Sequence, residues 1–127
     1  MPEVGLDVDV AWPHAWAAIA RLEHWPSWGP SVTAVEPPAG EVSVGLEGRV
    51  RTVVGGWLPF TVTEVEPGRR WAWRVGGLSA TGHRVEPRGA QRCRIVFEVP
   101  WWATPYLVVC RAALPRVAAV ARALDRA

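Results

Sequence analysis

Apolar and acidic positions alternate from the start of the chain, with Val4, Leu6, Val8 and Val10 on one side and Asp7 and Asp9 on the other. A period of two marks a half-buried strand, predicted over Val4–Val10. The period then changes. Pro13 suits a first helical turn, and Trp16, Ile19, Ala20 and Leu22 roughly follow helical spacing, so a helix is predicted from Pro13 to Trp25. The stretch Glu23-His24-Trp25-Pro26-Ser27-Trp28-Gly29-Pro30 should stop it. Pro26 and Pro30 disfavour helical backbone at Trp25 and Gly29. Two indoles three residues apart are therefore expected at a tight, buried, non-helical corner.

After the corner, period two returns. Strands are predicted over Ser31–Val35, Val44–Val54, Pro59–Glu66, Arg70–Val75, Ser79–Glu86 and Gln91–Val99. Their boundaries carry turn chemistry: Pro37, Pro38 and Gly40, then Gly55-Gly56, Pro67-Gly68, Gly76-Gly77 and Pro87 to Gly89. Within them, Val50 and Thr52, Trp71 and Trp73, Thr81 and His83, and Cys93, Ile95 and Phe97 share one face. Arg49, Arg51, Arg74, Arg84, Arg92 and Arg94 take the other.

The tail is helical. Thr104 is a candidate cap with Pro105 at the first position. Tyr106, Cys110, Ala113, Leu114, Val117, Ala121 and Leu124 form one stripe, and Pro115 lies opposite it, where it should bend the helix. Hairpins in succession with segregated helices predict an α+β fold built on an antiparallel sheet. About twenty helical residues reach roughly 30 Å, enough to cross such a sheet.

Composition narrows the picture. The chain has 127 residues, half of them hydrophobic, and nine tryptophans, which fits one domain (1–127) with a substantial core. All 14 basic residues are arginine, and the formal charge is only +2. That balance does not call for a nucleic-acid partner, and glutamates interleave with the outer-face arginines. The N-terminus has no signal-peptide pattern and no apolar run spans a bilayer, so cytoplasm is the expected compartment and stable membrane insertion is not expected. Two cysteines, Cys93 and Cys110, are expected as free buried thiols beyond disulfide reach.

The order of elements and several motifs resemble the START-like, or SRPBCC, superfamily, and within it the polyketide cyclase/dehydrase-like branch. The resemblance rests on the first strand followed by Pro13-His14-Ala15-Trp16, and on Leu22-Glu23-His24-Trp25-Pro26-Ser27-Trp28. It rests also on Thr63-Glu64-Val65-Glu66-Pro67-Gly68-Arg69-Arg70-Trp71-Ala72-Trp73. It covers nearly the whole chain and implies a helix-grip fold. A curved seven-stranded antiparallel sheet would wrap the long C-terminal helix, with two short helices after the first strand. A cavity would remain between sheet and helix.

The candidate ligand-binding residues are then Thr52, Trp71, Trp73, Thr81, His83, Cys93, Ile95, Phe97, Tyr106, Cys110 and Leu114. Such a wall is mostly apolar with a few polar groups, as small-molecule sites usually are. His83 is the one histidine on that face and the candidate acid/base. Its alternative is a neutral histidine bonded to Thr81, Tyr106 or backbone. No carboxylate shares the face unless a bulge turns Glu64 or Glu98 inward. Tyr106 or Thr52 is the candidate carbonyl donor, and Tyr106 could equally anchor the helix start. His14, His24 and His83 lack metal-ligand spacing. There is no phosphate loop, nucleophile elbow or dinucleotide fingerprint, so no metal or cofactor is expected.

The leading expectation is binding of a hydrophobic, aromatic or lipid-like small molecule in the internal cavity. The alternatives are a polyketide cyclase/aromatase-like enzyme using His83, and a protein-interaction module whose core is filled by tryptophan. The apolar Gly55–Phe60 tip and Trp101-Trp102 leave a lid, a homodimer contact and a membrane-touching edge open.

Overall fold

A computed structural model describes all 127 residues. Strand β1 (Glu3–Val8) is followed by helices α1 (Trp12–Ala20) and α2 (Trp25–Trp28), separated by a 3-10 turn at Leu22–His24. Strands β2 (Val32–Glu36), β3 (Glu47–Thr52), β4 (Trp57–Glu66), β5 (Arg70–Val75), β6 (Leu78–Pro87) and β7 (Cys93–Glu98) come next. A second 3-10 turn (Trp101–Tyr106) leads into α3 (Leu107–Arg126).

The seven strands form one antiparallel sheet in the order β1-β7-β6-β5-β4-β3-β2. From β2 to β7 each strand pairs with the next in sequence, as the turn signals predicted. Gly76 and Gly77 take φ of 60° and 81°, the left-handed pair that a two-residue hairpin requires. The helices cover one face of the sheet. Helices α1 and α3 pack together, and each buries small residues, Ala15 and Ala18 on α1 and Ala113, Ala118 and Ala121 on α3. The result is the expected α+β helix grip: a curved sheet holding a long C-terminal helix.

Several local expectations are corrected. β1 ends at Val8, not Val10, because its partner β7 begins at Cys93, opposite Val8. Val10 is buried all the same. The tryptophan corner does not leave helical backbone. Trp25 has φ −56° and ψ −44°, and Trp25–Trp28 form a single α-turn. Pro26 falls in the first turn, where its missing N–H has no intrahelical acceptor to lose. The strand predicted from Val44 to Val54 shrinks to Glu47–Thr52, leaving Val44 and Val54 exposed. Thr104 does not cap α3. Its hydroxyl donates to the Trp101 carbonyl at 2.7 Å inside the 3-10 turn, and α3 starts beyond Tyr106 without a side-chain cap.

Candidate functional site

The tryptophans organise the interior around the end of α1. A helix leaves its last four carbonyls without intrahelical donors. Here each finds one. Arg21, the C-cap, accepts the His24 amide at 3.1 Å and Ala20 accepts the Val42 amide at 3.0 Å. Ala18 accepts the Trp28 indole at 2.8 Å, and Ile19 accepts two indoles, Trp25 at 2.9 Å and Trp71 at 3.1 Å. The corner is thus a cap made of side chains. Trp25 also stacks on Trp71, with ring centroids 5.1 Å apart and planes 9° from parallel.

The stack continues into His83, whose ring lies 3.9 Å from Trp71 at 20°. His83 is 2% exposed. Its Nδ1 is 3.3 Å from the Trp71 carbonyl, and its Nε2 is 2.9 Å from the Thr81 hydroxyl. A carbonyl only accepts, so Nδ1 carries the proton, and Nε2 accepts from Thr81. The Thr81 oxygen in turn accepts the Trp73 indole N–H at 3.1 Å. Every ring and hydroxyl group in this chain is satisfied with the imidazole neutral. Burial pushes the His83 pKa down to about 3, against a smaller upward pull from the Trp71 carbonyl.

No carboxylate joins His83. Alternation along β7 turns Phe97 inward and Glu98 outward. Glu98 is buried on the far side of the sheet, where it accepts from Arg70 Nη2 at 2.8 Å and Arg84 Nη1 at 2.8 Å. Burial alone would raise its pKa, but the two guanidiniums outweigh that and hold it below the usual range. Gly82 makes the space: a Cβ there would lie 2.6 Å from Glu98 Oε1. Glu64 also stays outside, 3.4 Å from Arg70. Arg49 and Arg94 likewise pair with Glu36 and Asp7, so part of the outer arginine face is neutralised.

Two hollows remain on the helix side of the sheet. The inner one lies against α3. The outer one, contrary to the expected sheet–helix cavity, is closed by the second 3-10 turn and the segment before β2, and has no α3 residue in its wall. The inner one, beside His83, holds about 40 Å³ and is walled by Trp25, Trp28, Trp71, Trp73, Phe97, Cys110 and Ala113. That is room for about three waters. The outer one holds about 260 Å³ and is overwhelmingly apolar, just under the roughly 300–1,000 Å³ of typical ligand sites. Val32, Val50, Leu58, Val75, Ala80, Val99 and Trp102 line it, with Thr52 among them. Trp73, Thr81, Tyr106, Ser31 and Val32 border both. Tyr106 and Ser31 share a 2.6 Å hydrogen bond across this divide, tying the approach to α3 to the segment before β2. Burial raises the Tyr106 pKa, and the Ser31 contact opposes it.

The predicted residues therefore divide. Trp71, Trp73, Thr81, His83, Phe97, Tyr106 and Cys110 reach the inner hollow, and Thr52 reaches the outer one with Trp73, Thr81 and Tyr106. Cys93, Ile95 and Leu114 face neither and are solid core. Cys93 sits at the far end of β7, opposite Val8 and Pro87, and α1 packs against this strand. Both cysteines are free, and burial lifts each thiol to about 11, with Asp7 adding to the effect at Cys93.

Some of the outer lining was not anticipated. Val75 could have been, since it shares the alternation of Trp71 and Trp73. Ser31 and Val32 open the strand predicted over Ser31–Val35 but are not among the residues assigned to the cavity face, and Ala103 lies in a turn with no periodic signal. One polar atom stands apart: the Thr52 hydroxyl oxygen is buried in the wall of the outer hollow with no hydrogen-bond partner.

An antiparallel sheet gripping one long helix defines the helix-grip class of fold. The chain belongs to the polyketide cyclase / dehydrase and lipid transport family, which matches residues 4–127. No curated protein matches it. A solved protein from Mesorhizobium loti superposes with a TM-score of 0.69 at 14% identity, over 98% of both chains. The di-domain ARO/CYC BexL from the BE-7585A biosynthetic pathway gives 0.66 at 17%, over 96% of this chain and 47% of that one. DynU16, from the dynemicin biosynthetic locus, gives 0.60 at 18%, over 92% and 45%. At these identities the likeness is one of fold. The family takes in polyketide cyclases, dehydrases and lipid-transport proteins.

Proposed function

We propose that the protein binds a small apolar ligand, aromatic or lipid-like, in the outer hollow, with Thr52 as its polar contact. The observation that carries this is the unpartnered Thr52 hydroxyl in an otherwise apolar wall of about 260 Å³. A buried hydroxyl without a partner costs about 1–3 kcal/mol. A ligand hydroxyl or carbonyl recovers that cost once Thr52 turns about χ1 to bring its hydroxyl, enclosed in this structure, to the surface of the hollow. The volume suits a ring with short substituents or a short acyl chain, and Trp73 and Trp102 offer faces for stacking.

Acid/base catalysis at His83 is the weaker alternative. Its Nε2 lone pair is engaged by Thr81, its proton by Trp71, and its environment disfavours the charged form. An enzyme working through it would first have to break that chain of bonds. Thr81 and Tyr106, which border both hollows, are better placed to touch a ligand.

A thermal-shift screen of ring-bearing and short acyl compounds tests the proposal, since a ligand that binds only the folded state raises Tm. Hits should be lost in Ala80→Trp, which fills the hollow, and weakened in Thr52→Val. A screen with no stabilising compound, or hits indifferent to Ala80→Trp, would overturn it.

A further inference from the structure

We propose that the end of the molecule around the mouth of the outer hollow docks on an anionic lipid bilayer surface. This goes beyond ligand binding and does not depend on the hollow being filled.

The turn between β3 and β4, the turn between β5 and β6, the second 3-10 turn and the start of α3 all lie at one end of the sheet. They expose Val53, Val54, Leu78, Trp101, Trp102 and Val108, each between 58% and 89% accessible. Large apolar side chains this bare and this close together mark an interaction surface. Tryptophan in particular favours the boundary between headgroups and acyl chains.

Charge selects the partner. Residues 50–62, 71–81 and 99–111, which build this end, contain no aspartate or glutamate. They do contain Arg51, Arg74 and Arg111, all exposed and all without an ion pair. Glu64, which shares an outer-face hollow with Trp101 and Trp102, is already paired with Arg70. A second copy of the chain would bring the same face against itself, arginine to arginine, with no carboxylate to meet them. A bilayer rich in anionic lipid supplies both requirements, apolar depth for the valines and tryptophans and negative charge for the arginines. No helix is long and apolar enough to cross a membrane, so contact of this kind is peripheral.

Co-flotation with vesicles of phosphatidylcholine alone, and of phosphatidylcholine mixed with phosphatidylglycerol, tests this. The protein should bind the mixed vesicles, less so as salt rises, and bind the neutral ones far more weakly. Arg51→Glu and Arg111→Glu should each weaken binding about fivefold or more, since each basic residue near such a surface is worth about 1 kcal/mol. Val54→Asp and Trp101→Ser should do so with Tm unchanged, because both side chains are exposed. Absent binding to mixed vesicles, or binding indifferent to these four substitutions, overturns the proposal. So does a solution dimer, seen by light scattering, that Val54→Asp converts to monomer while vesicle binding is nil.

Discussion

Trp25 and Trp71, 46 residues apart in sequence, lie face to face and donate to one and the same carbonyl, that of Ile19. A carbonyl oxygen has two lone pairs and can serve both. The contact joins the corner, the end of α1 and the centre of the sheet in one place. Replacing Trp71 by Phe keeps most of the apolar volume but removes one donor, and should cost about 1–3 kcal/mol. Trp71→Ala should cost about 3–5 kcal/mol. Denaturant unfolding measures both, and a loss under about 0.5 kcal/mol for Trp71→Phe would show that the shared carbonyl contributes nothing.

His83 makes stability depend on pH in a defined direction. Its pKa falls from 6.5 to about 3 on folding, so between those values the unfolded chain binds the extra proton. Stability is therefore intact above about pH 6.5 and declines as pH falls towards 3, by up to about 1.4 kcal/mol per pH unit. Glu98, held low by its arginines, acts with the same sign at lower pH. The His83→Gln variant should show a flatter profile between pH 6.5 and about 4.5 than the wild type. Parallel profiles for the two would mean that His83 titrates normally in the fold.

Thr52 sets stability against binding. Thr52→Val is close to isosteric and removes a buried hydroxyl that has no partner, so the ligand-free protein should gain about 1 kcal/mol. The same change should weaken a ligand bearing a hydroxyl or carbonyl by about tenfold, and leave a purely hydrocarbon ligand untouched. Thermal unfolding and titration calorimetry separate the two effects.

The thiols should be silent. Cys93 and Cys110 are buried with pKa values raised to about 11, and the thiolate is the reactive form. A thiol reagent at pH 8 should label neither in the native protein and both in denaturant. Labelling of Cys110 alone would reveal an opening of α3 from the sheet.

How the parts of this structure could be read from the chain depended on range. Gly76-Gly77 dictates a turn by its own backbone freedom, and the alternation of Trp71, Trp73 and Val75 dictates which side of β5 is greasy. Both are local, and both could be read from neighbours. The corner at Trp25 could be located but not shaped. Proline penalises helix in general, yet here Pro26 meets the first turn, and three indole donors reach carbonyls that α1 would otherwise leave bare. Cys93, Ile95 and Leu114 had the correct face and still missed the cavity, because periodicity sorts side chains by side of an element and not by position along it.

What the amino-acid order determined alone was the alternation, the turns and hence a seven-stranded antiparallel sheet with one long helix. Those follow from steric preferences and burial acting over a few residues. What only the tertiary structure decided was where the hollow survives. Aromatic side chains from α2, β5 and β7 converge on His83 and leave about 40 Å³ there, while the smaller Val50, Val75 and Ala80 leave about 260 Å³ nearer the edge. Volume in a packed interior is the remainder after distant segments meet, and no single segment carries it.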